Sequence, residues 1–217
     1  MQGVFIVVER VVNLRNLRLL GSQLIRRFRL KAFGIATFFV LIAEMGDKTQ
    51  LVALAFATRY AASTVLGGVF IATLLVHLLS VALGEAATLA IPILWIQVLS
   101  GLAFIGFGIW TLRGDEPGDE GKVAEHRWGP LVTVGITFFL AELGDKTMLA
   151  TVTIASQQHQ FIPVWLGSTL GMVAADGIAI VAGKVMGAKL PERLIKYGSA
   201  AVFIITGILT VITASGI

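Results

Sequence analysis

The sequence contains no cysteine among its 217 residues, and only 14% of its residues are charged. Without cysteine, disulfide bonds, thiolate metal sites and cysteine nucleophiles are excluded. Soluble domains carry about 25% charged residues, so the scarcity of charge argues against a soluble domain. With 56% hydrophobic residues, the composition is typical of an integral membrane protein. At about 20 residues per membrane-spanning helix, the length suits six helices joined by short loops.

Histidine is also scarce, with three residues, and no pair of histidines has the spacing of a metal site. This disfavours a zinc or copper centre, and with it an intramembrane metalloenzyme. The net charge of +4 might suggest nucleic acid as a partner, but the basic residues cluster in the N-terminal segment and at the ends of apolar runs. Contact with the membrane surface explains that distribution better. The expected partner is therefore the lipid bilayer and not nucleic acid.

The apolar runs are continuous and do not alternate, which favours helices over the strands of a membrane barrel. Residues 1–31 are basic and amphipathic, and we expect them to lie among lipid headgroups; a leader outside the functional unit is the alternative. Residues 113–129 form a polar loop. The six predicted spans cover about 32–57, 64–83, 92–112, 130–155, 163–183 and 194–214.

Two copies of the motif Glu-x-Gly-Asp-Lys-Thr interrupt these spans, at 44–49 in the first and at 142–147 in the fourth. Each copy introduces carboxylates and a lysine where lipid-facing or packed apolar residues are expected. An ionisable residue at the centre of a bilayer costs at least ~2.5–3.5 kcal/mol, so such residues usually serve a function. We therefore expect both motifs to belong to a functional site.

The two motifs belong to internal repeats, 32–112 and 130–217. A shift of 98 positions aligns the motifs, and a shift of 99 aligns later residues such as Phe104 with Phe203. Because each half has three spans, an odd number, the second half must enter the membrane from the opposite side. The predicted fold is an all-α integral membrane protein with six transmembrane helices in two inverted three-helix repeats. Secondary transporters commonly use this plan, with binding sites near the midplane.

The motif residues suit a hard divalent cation. On a helix, Glu44 and Asp47 are three residues apart and share a face, as do Glu142 and Asp145. Bringing these faces together would give four carboxylates beside two threonine hydroxyls, oxygen ligands that suit Ca²⁺, Mn²⁺ or Mg²⁺. The motif glycines would let each helix kink and free backbone carbonyls. The predicted metal ligands are Glu44, Asp47, Thr49, Gln50, Glu142, Asp145, Thr147 and Met148.

Several residues have two interpretations. Met148 either offers a soft sulfur that Mn²⁺ tolerates better than Ca²⁺ does, or fills space between helices. Lys48 and Lys146 either neutralise the carboxylates when no cation is bound, or extend towards an interface. The shift of 99 aligns His77 with Asp176. Asp176 is a candidate ligand or proton carrier, and His77 is either a proton relay or hydrogen-bonded to a neighbouring helix.

Packed carboxylates repel one another, which favours the uptake of protons when no metal is bound. This repulsion provides a physical basis for exchanging a divalent cation against protons. The leading hypothesis from these residues is a secondary transporter that exchanges a divalent cation for protons. A passive divalent-cation channel is the alternative within the transport class, and a non-transporting membrane scaffold is the alternative outside it.

The paired motifs in a duplicated six-span frame resemble uncharacterised protein family 0016, the family of transmembrane protein 165. The resemblance covers about residues 33–217. It implies an antiporter that exchanges Mn²⁺, or in some members Ca²⁺, for protons, with Glu44, Asp47, Glu142 and Asp145 carrying the ion. Because bacterial members resemble manganese exporters, the resemblance also implies that the cation is exported. No resident cofactor is expected. A bacterial inner membrane is the simplest location, and both a monomer and a homodimer stay open.

Overall fold

The computed structural model describes residues 26–113, 129–186 and 192–215, with only the backbone described for Lys48 and a few positions near the last gap. Most of the segment 1–31 and of the polar loop 113–129 lies outside the described residues. The described ranges contain no strand, which confirms the all-α prediction. Their helices are α1 (26–44), α2 (Lys48–Arg59), α3 (Ala62–Ala90), α4 (Ile93–Arg113), α5 (Pro130–Glu142), α6 (Lys146–Gln158), α7 (Phe161–Met186) and α8 (Glu192–Ala214).

Four of these helices contain stretches long and apolar enough to cross a membrane: Ala62–Ala90, Ile93–Arg113, Phe161–Gly183 and Lys196–Ala214. They correspond to the second, third, fifth and sixth predicted spans. Helix α3 is longer than predicted, because it continues for almost two turns past residue 83. Glu85 therefore lies within this helix.

The first and fourth predicted spans, which the motifs were expected to interrupt, are each divided into two shorter helices. Helix α1 ends at Glu44 and α2 begins at Lys48, while α5 ends at Glu142 and α6 begins at Lys146. The turns contain Gly46 with φ of 78° and Gly144 with φ of 82°. Glycine adopts this left-handed backbone without the steric cost that a Cβ atom brings. The kink that the motif glycines predicted is confirmed at both positions.

The broken helices of each half pack mainly against the long helix of the other half. Helix α2 contacts α7, and α5 and α6 contact α3. A Cβ atom on Gly167 in α7 would lie 2.5 Å from the carbonyl oxygen of Phe33 in α1. In the other half, a Cβ atom on Gly68 in α3 would lie 3.0 Å from the carbonyl oxygen of Leu131 in α5. The repeat alignment makes these two contacts equivalent, because it pairs Gly68 with Gly167 and Phe33 with Leu131.

Helices α4 and α8, which are also equivalent in the repeat, pack against each other along their length. A Cβ atom on Gly108 would lie 2.9 Å from the carbonyl oxygen of Ala200, and one on Gly207 would lie 2.5 Å from that of Gly101. The shift of 99 exchanges these two contacts. The absence of a side chain at both positions lets the two backbones approach closely.

The interior contains two apolar clusters that each draw residues from both halves. One includes Phe104 of α4 and Phe203 of α8, whose rings stack with centroids 6.0 Å apart. The other surrounds Phe56 of α2 and Phe138 of α5. Many large apolar side chains remain exposed, among them Leu75, Leu79, Leu83, Ile178 and Val181. An apolar exterior of this extent suits lipid contact and agrees with a membrane protein.

Candidate functional site

The carboxylates of the two motifs are buried at the helix breaks. The side chains of Glu44, Asp47 and Glu142 are at most 2% exposed, and Asp145 is 8% exposed. Each glutamate is the last residue of one helix, and each aspartate is the N-cap of the next. The two carboxylates of a motif therefore do not share the face of one helix, and the helical spacing argument was wrong on this point.

In the first motif, the hydroxyl of Thr49 lies between the two carboxylates. Its Oγ1 atom is within hydrogen-bonding reach of Glu44 Oε1 and lies 3.0 Å from Asp47 Oδ2. The backbone N–H of Thr49 also donates to Asp47 Oδ2, over 3.4 Å. This last contact caps the start of α2, where the unpaired N–H groups of a helix favour an acidic side chain.

Two contacts join the motifs of the two halves. The Thr147 hydroxyl donates to Glu44 Oε2 over 3.2 Å, so the Glu44 carboxylate accepts hydrogen bonds from both repeats. The ammonium group of Lys146 forms a buried ion pair with Asp47 Oδ1. Lys146 is only 4% exposed. It therefore does not extend to an interface, and it neutralises a carboxylate of the opposite repeat. The side chain of Lys48 lies outside the described residues.

Glu142 faces the other acidic groups without a hydrogen bond of its own. Neither of its carboxylate oxygens has a hydrogen-bond partner among the described residues. It interacts electrostatically with Glu44, Asp145, Asp47 and Asp176, and like charges so placed repel one another. In the described part of the chain, no group of three or more His, Cys, Asp or Glu side chains has the geometry to hold a metal ion.

Gln50 and Met148, both predicted as ligands, lie over the motif turns. The Gln50 Oε1 atom accepts the backbone N–H of Gly46 over 2.8 Å, and Met148 Sδ accepts that of Gly144 over 3.2 Å. Gln50 also donates from Nε2 to the carbonyl oxygen of Ala175 in α7, over 3.1 Å. Sequence reasoning missed this last contact, because the motif spacing carries no information about α7.

His77 and Asp176 are both fully buried. The Nδ1 atom of His77 lies 3.4 Å from the hydroxyl of Thr169 in α7, in agreement with the interpretation that it contacts a neighbouring helix. The carboxylate oxygens of Asp176 have no hydrogen-bond partner among the residues that the structure describes. Asp176 interacts electrostatically with Glu44, Asp47 and Glu142, and so lies close to the motif carboxylates.

Comparison with known proteins identifies the family. A model of the family described as "Divalent cation/proton antiporter GDT1" matches residues 32–119 and 130–216. The chain belongs to the GDT1 family. This is the transmembrane protein 165 family that the paired motifs resemble. GDT1 proteins form a family of transporters, which agrees with the expectation that the chain is not an enzyme.

GDT1 relatives occur in bacteria and plants. A Vibrio cholerae protein whose name proposes manganese export is 35% identical over 186 residues, covering 83% of this chain and 90% of its own length. GDT1-like protein 4 of Arabidopsis thaliana is 27% identical, over 85% of this chain and 97% of its own. GDT1-like protein sll0615 of Synechocystis is 28% identical, over 76% and 89%. No solved structure matches the chain.

Proposed function

We propose that this protein exports Mn²⁺, with Ca²⁺ as a second substrate, in exchange for protons. The observation that carries the proposal is the contact between the two motifs, in which Glu44 accepts hydrogen bonds from Thr49 and Thr147 and Asp47 pairs with Lys146. The carboxylates of the first motif are thus buried in contact with Thr147 and Lys146 of the second, and carboxylate oxygens are ligands that Mn²⁺ and Ca²⁺ prefer. The family and the name of the Vibrio relative support the choice of substrate.

The chain would cross the membrane six times, as two inverted repeats. Helices α1 and α2 together form one passage, and α5 and α6 together form another, each interrupted at its motif. Interrupted helices near the midplane, at the interface of two repeats, are typical of substrate sites in secondary transporters. The exchange of equivalent contacts between α4 and α8 supports this arrangement.

The same carboxylates would bind either protons or the metal. In the structure Asp47 is paired with Lys146 and the described carboxylates are not arranged to hold a metal. On cation binding, Glu44, Asp47, Glu142 and Asp145 would come together to supply the ligands, with Thr49 and Thr147 orienting them. Without a cation, the charge of this cluster is balanced by Lys146 and by bound protons, because unbalanced carboxylates in a buried site repel strongly. An arriving divalent cation replaces that balance and releases the protons. Asp176 is buried beside the cluster and would act as an accessory ligand or proton carrier.

A bacterial inner membrane is the proposed location. It is supported by the Vibrio relative, which covers most of this chain. Divalent ions, protons and lipid would be the partners, and no resident cofactor is proposed. Export from the cytoplasm would use the proton gradient, since protons entering the cell release free energy that can move the cation outwards.

The test is Mn²⁺ uptake into liposomes containing the purified protein, with internal pH followed by a trapped dye. The variants are Glu44→Gln and Asp145→Asn, and Glu85→Gln in α3 serves as the control outside the motifs. We expect Mn²⁺ entry coupled to proton exit in the wild type and in the control. Each motif variant should lose at least about 100-fold in rate, because a buried charged ligand contributes several kcal/mol.

Other results would favour other functions. Mn²⁺ entry without proton movement would favour a passive channel. If Mn²⁺, Ca²⁺ and Mg²⁺ all fail to move in the wild type, a non-transporting scaffold becomes the better hypothesis. If the motif variants transport as fast as the wild type, the assignment of the site is wrong although the antiporter hypothesis stands.

A further inference from the structure

Gln50 makes two hydrogen bonds that connect the first helix break to the opposite repeat. Its Oε1 atom accepts from Gly46 N–H over 2.8 Å, and its Nε2 atom donates to Ala175 O over 3.1 Å. Gln50 is 5% exposed, so the environment offers little competition from water. The orientation of the amide is fixed, because an N–H donor requires the oxygen and a carbonyl requires the nitrogen. We refer to this Gly46–Gln50–Ala175 connection as the Gln50 bridge.

The Gln50 bridge ends one residue before Asp176. Asp176 is fully buried, and its electrostatic partners include Glu44 and Asp47 of the first motif. The bridge therefore connects the turn that carries Asp47 to the segment of α7 that carries Asp176. A buried amide held at both ends restricts relative movement of the two backbones that it joins.

The second half satisfies the equivalent groups differently. Met148 takes the place of Gln50 and accepts the N–H of Gly144 over 3.2 Å, but a thioether has no hydrogen to donate. The carbonyl equivalent to that of Ala175 belongs to Val76, and it accepts the hydroxyl of Ser80 within α3 over 2.8 Å. The residue equivalent to Ser80 in α7 is Ala179, which has no hydroxyl. The carbonyl of Ala175 thus accepts from Gln50 of the other repeat, whereas the equivalent carbonyl of Val76 accepts from Ser80 of its own helix.

We propose that Gln50 is a positioning residue for the transported cation, because the Gln50 bridge sets the distance between Asp176 and the carboxylates of the first motif. This inference rests on the proposed function. In it, Gln50 acts through its contacts with Gly46 and Ala175 and not as a metal ligand. The two halves of the site are then unequal, since Gln50 hydrogen-bonds the turn of the first motif to the long helix of the other repeat, whereas the thioether of Met148 has no hydrogen to donate.

The chain itself suggests the variants. Gln50→Met keeps a side chain that caps the turn, as Met148 does in the second motif, but removes the donor to Ala175 O. Adding Ala179→Ser supplies that carbonyl with a donor from its own helix, as Ser80 does in α3, without restoring the connection between repeats. Ala179→Ser alone is the control. The melting temperature in detergent and the Mn²⁺ concentration that gives half-maximal transport are measured for all three.

We expect Gln50→Met to lower the melting temperature and to raise the half-saturating Mn²⁺ concentration about fivefold, an effect of the size of one hydrogen bond. Maximal rates should stay within about twofold if the bridge orders ligands and does nothing else. The double variant should recover the melting temperature but keep the raised half-saturating concentration. If it recovers both, Gln50 serves only to satisfy a buried carbonyl, and the proposal is wrong.

The test separates this proposal from two others. If Gln50 Oε1 bound the cation directly, the sulfur of Gln50→Met would favour soft Cd²⁺ over Ca²⁺; a positioning role weakens both ions by the same factor, so a changed ratio overturns the proposal. If the wild type moves no divalent ion, the proposed function fails. The bridge is still tested in that event, because an unchanged melting temperature in Gln50→Met contradicts it whatever the protein transports.

Discussion

Lys146 and Asp47 come from different repeats, yet they form a buried ion pair. From the sequence, Lys146 was expected either to neutralise carboxylates when no cation is bound or to reach an interface, and in the structure it pairs with a carboxylate. An i, i+4 pairing within the motif would have joined it to Glu142 instead. The helix break removes that geometry, because Lys146 begins a new helix just after the turn. Lys146 is therefore paired with a carboxylate that would have to bind the cation in the proposed site.

Replacing Lys146 with methionine tests that competition. Removing one partner of a buried ion pair leaves an uncompensated charge, which costs about 3–5 kcal/mol. We expect Lys146→Met to melt at a lower temperature without metal and to gain more stability from Mn²⁺ than the wild type does, since binding stabilises the folded state. The half-saturating Mn²⁺ concentration should fall. The exchange rate should drop at least about tenfold, because no positive charge balances Asp47 once the cation has left.

Lys31→Met is the control for this substitution, because Lys31 is exposed at the start of the described part of α1. It should leave melting, Mn²⁺ stabilisation and exchange unchanged. Weaker Mn²⁺ binding by Lys146→Met would mean that the lysine supports the binding geometry and does not compete with the cation.

At the scale of helices, the breaks at the two motifs decide where the carboxylates point. Gly46 and Gly144 both have positive φ, and each turn directs a glutamate and an aspartate from the ends of two helices into the interior. A Cβ atom on Gly144 would meet no atom within 4 Å. The requirement for glycine there is therefore conformational and is not a matter of space.

Gly144→Ala should accordingly destabilise the protein by about 1–2 kcal/mol, the cost of the left-handed conformation for a residue with a Cβ atom. Gly106→Ala is the matched control, since its Cβ atom would also meet nothing within 4 Å but lies inside helix α4. Alanine is preferred over glycine in a helix by roughly 0.5–1 kcal/mol, so this control should raise the melting temperature. Equal effects of the two substitutions would contradict the assignment of strain to the turn.

The elements show what the sequence could and could not predict. Continuous apolar runs predicted four helices, although α3 is longer than expected, and the motif glycines predicted the kinks in the other two spans. The spacing argument for Glu44 and Asp47 was wrong because it assumed an unbroken helix, whereas the helix is broken at the turn that contains Gly46. Cross-repeat contacts such as Gln50 to Ala175 could not be predicted. Hydrophobic periodicity identifies buried faces but not the partner that each face meets.

At the scale of the whole molecule, the broken helices of each half pack against the long helix of the other half. The proposed inverted arrangement has a direct consequence, because equivalent turns of the two repeats must then lie on opposite sides of the membrane. Ala61 lies in the turn between α2 and α3, and Gln160 lies in the corresponding turn between α6 and α7. The lack of native cysteine makes a single introduced cysteine a specific label.

Ala61→Cys and Gln160→Cys should therefore react with a membrane-impermeant maleimide from opposite sides. In vesicles of one orientation, one variant should be labelled at once and the other only after detergent is added. Vesicles of the reverse orientation should exchange the two results. Labelling of both variants from the same side would rule out the inverted repeat, whereas the internal sequence duplication would remain.

The interlocking of the two halves also bears on how such a protein arose. The broken helix of each half packs against the long helix of the other, through close approaches such as Gly68 to Leu131 and Gly167 to Phe33. A single ancestral repeat would have lacked that partner helix, and its acidic turn would have been exposed to lipid. Two separate copies inserted in opposite orientations would have covered one another. Fusion of their genes would then have freed each copy to change alone, as Gln50 and Met148 have done.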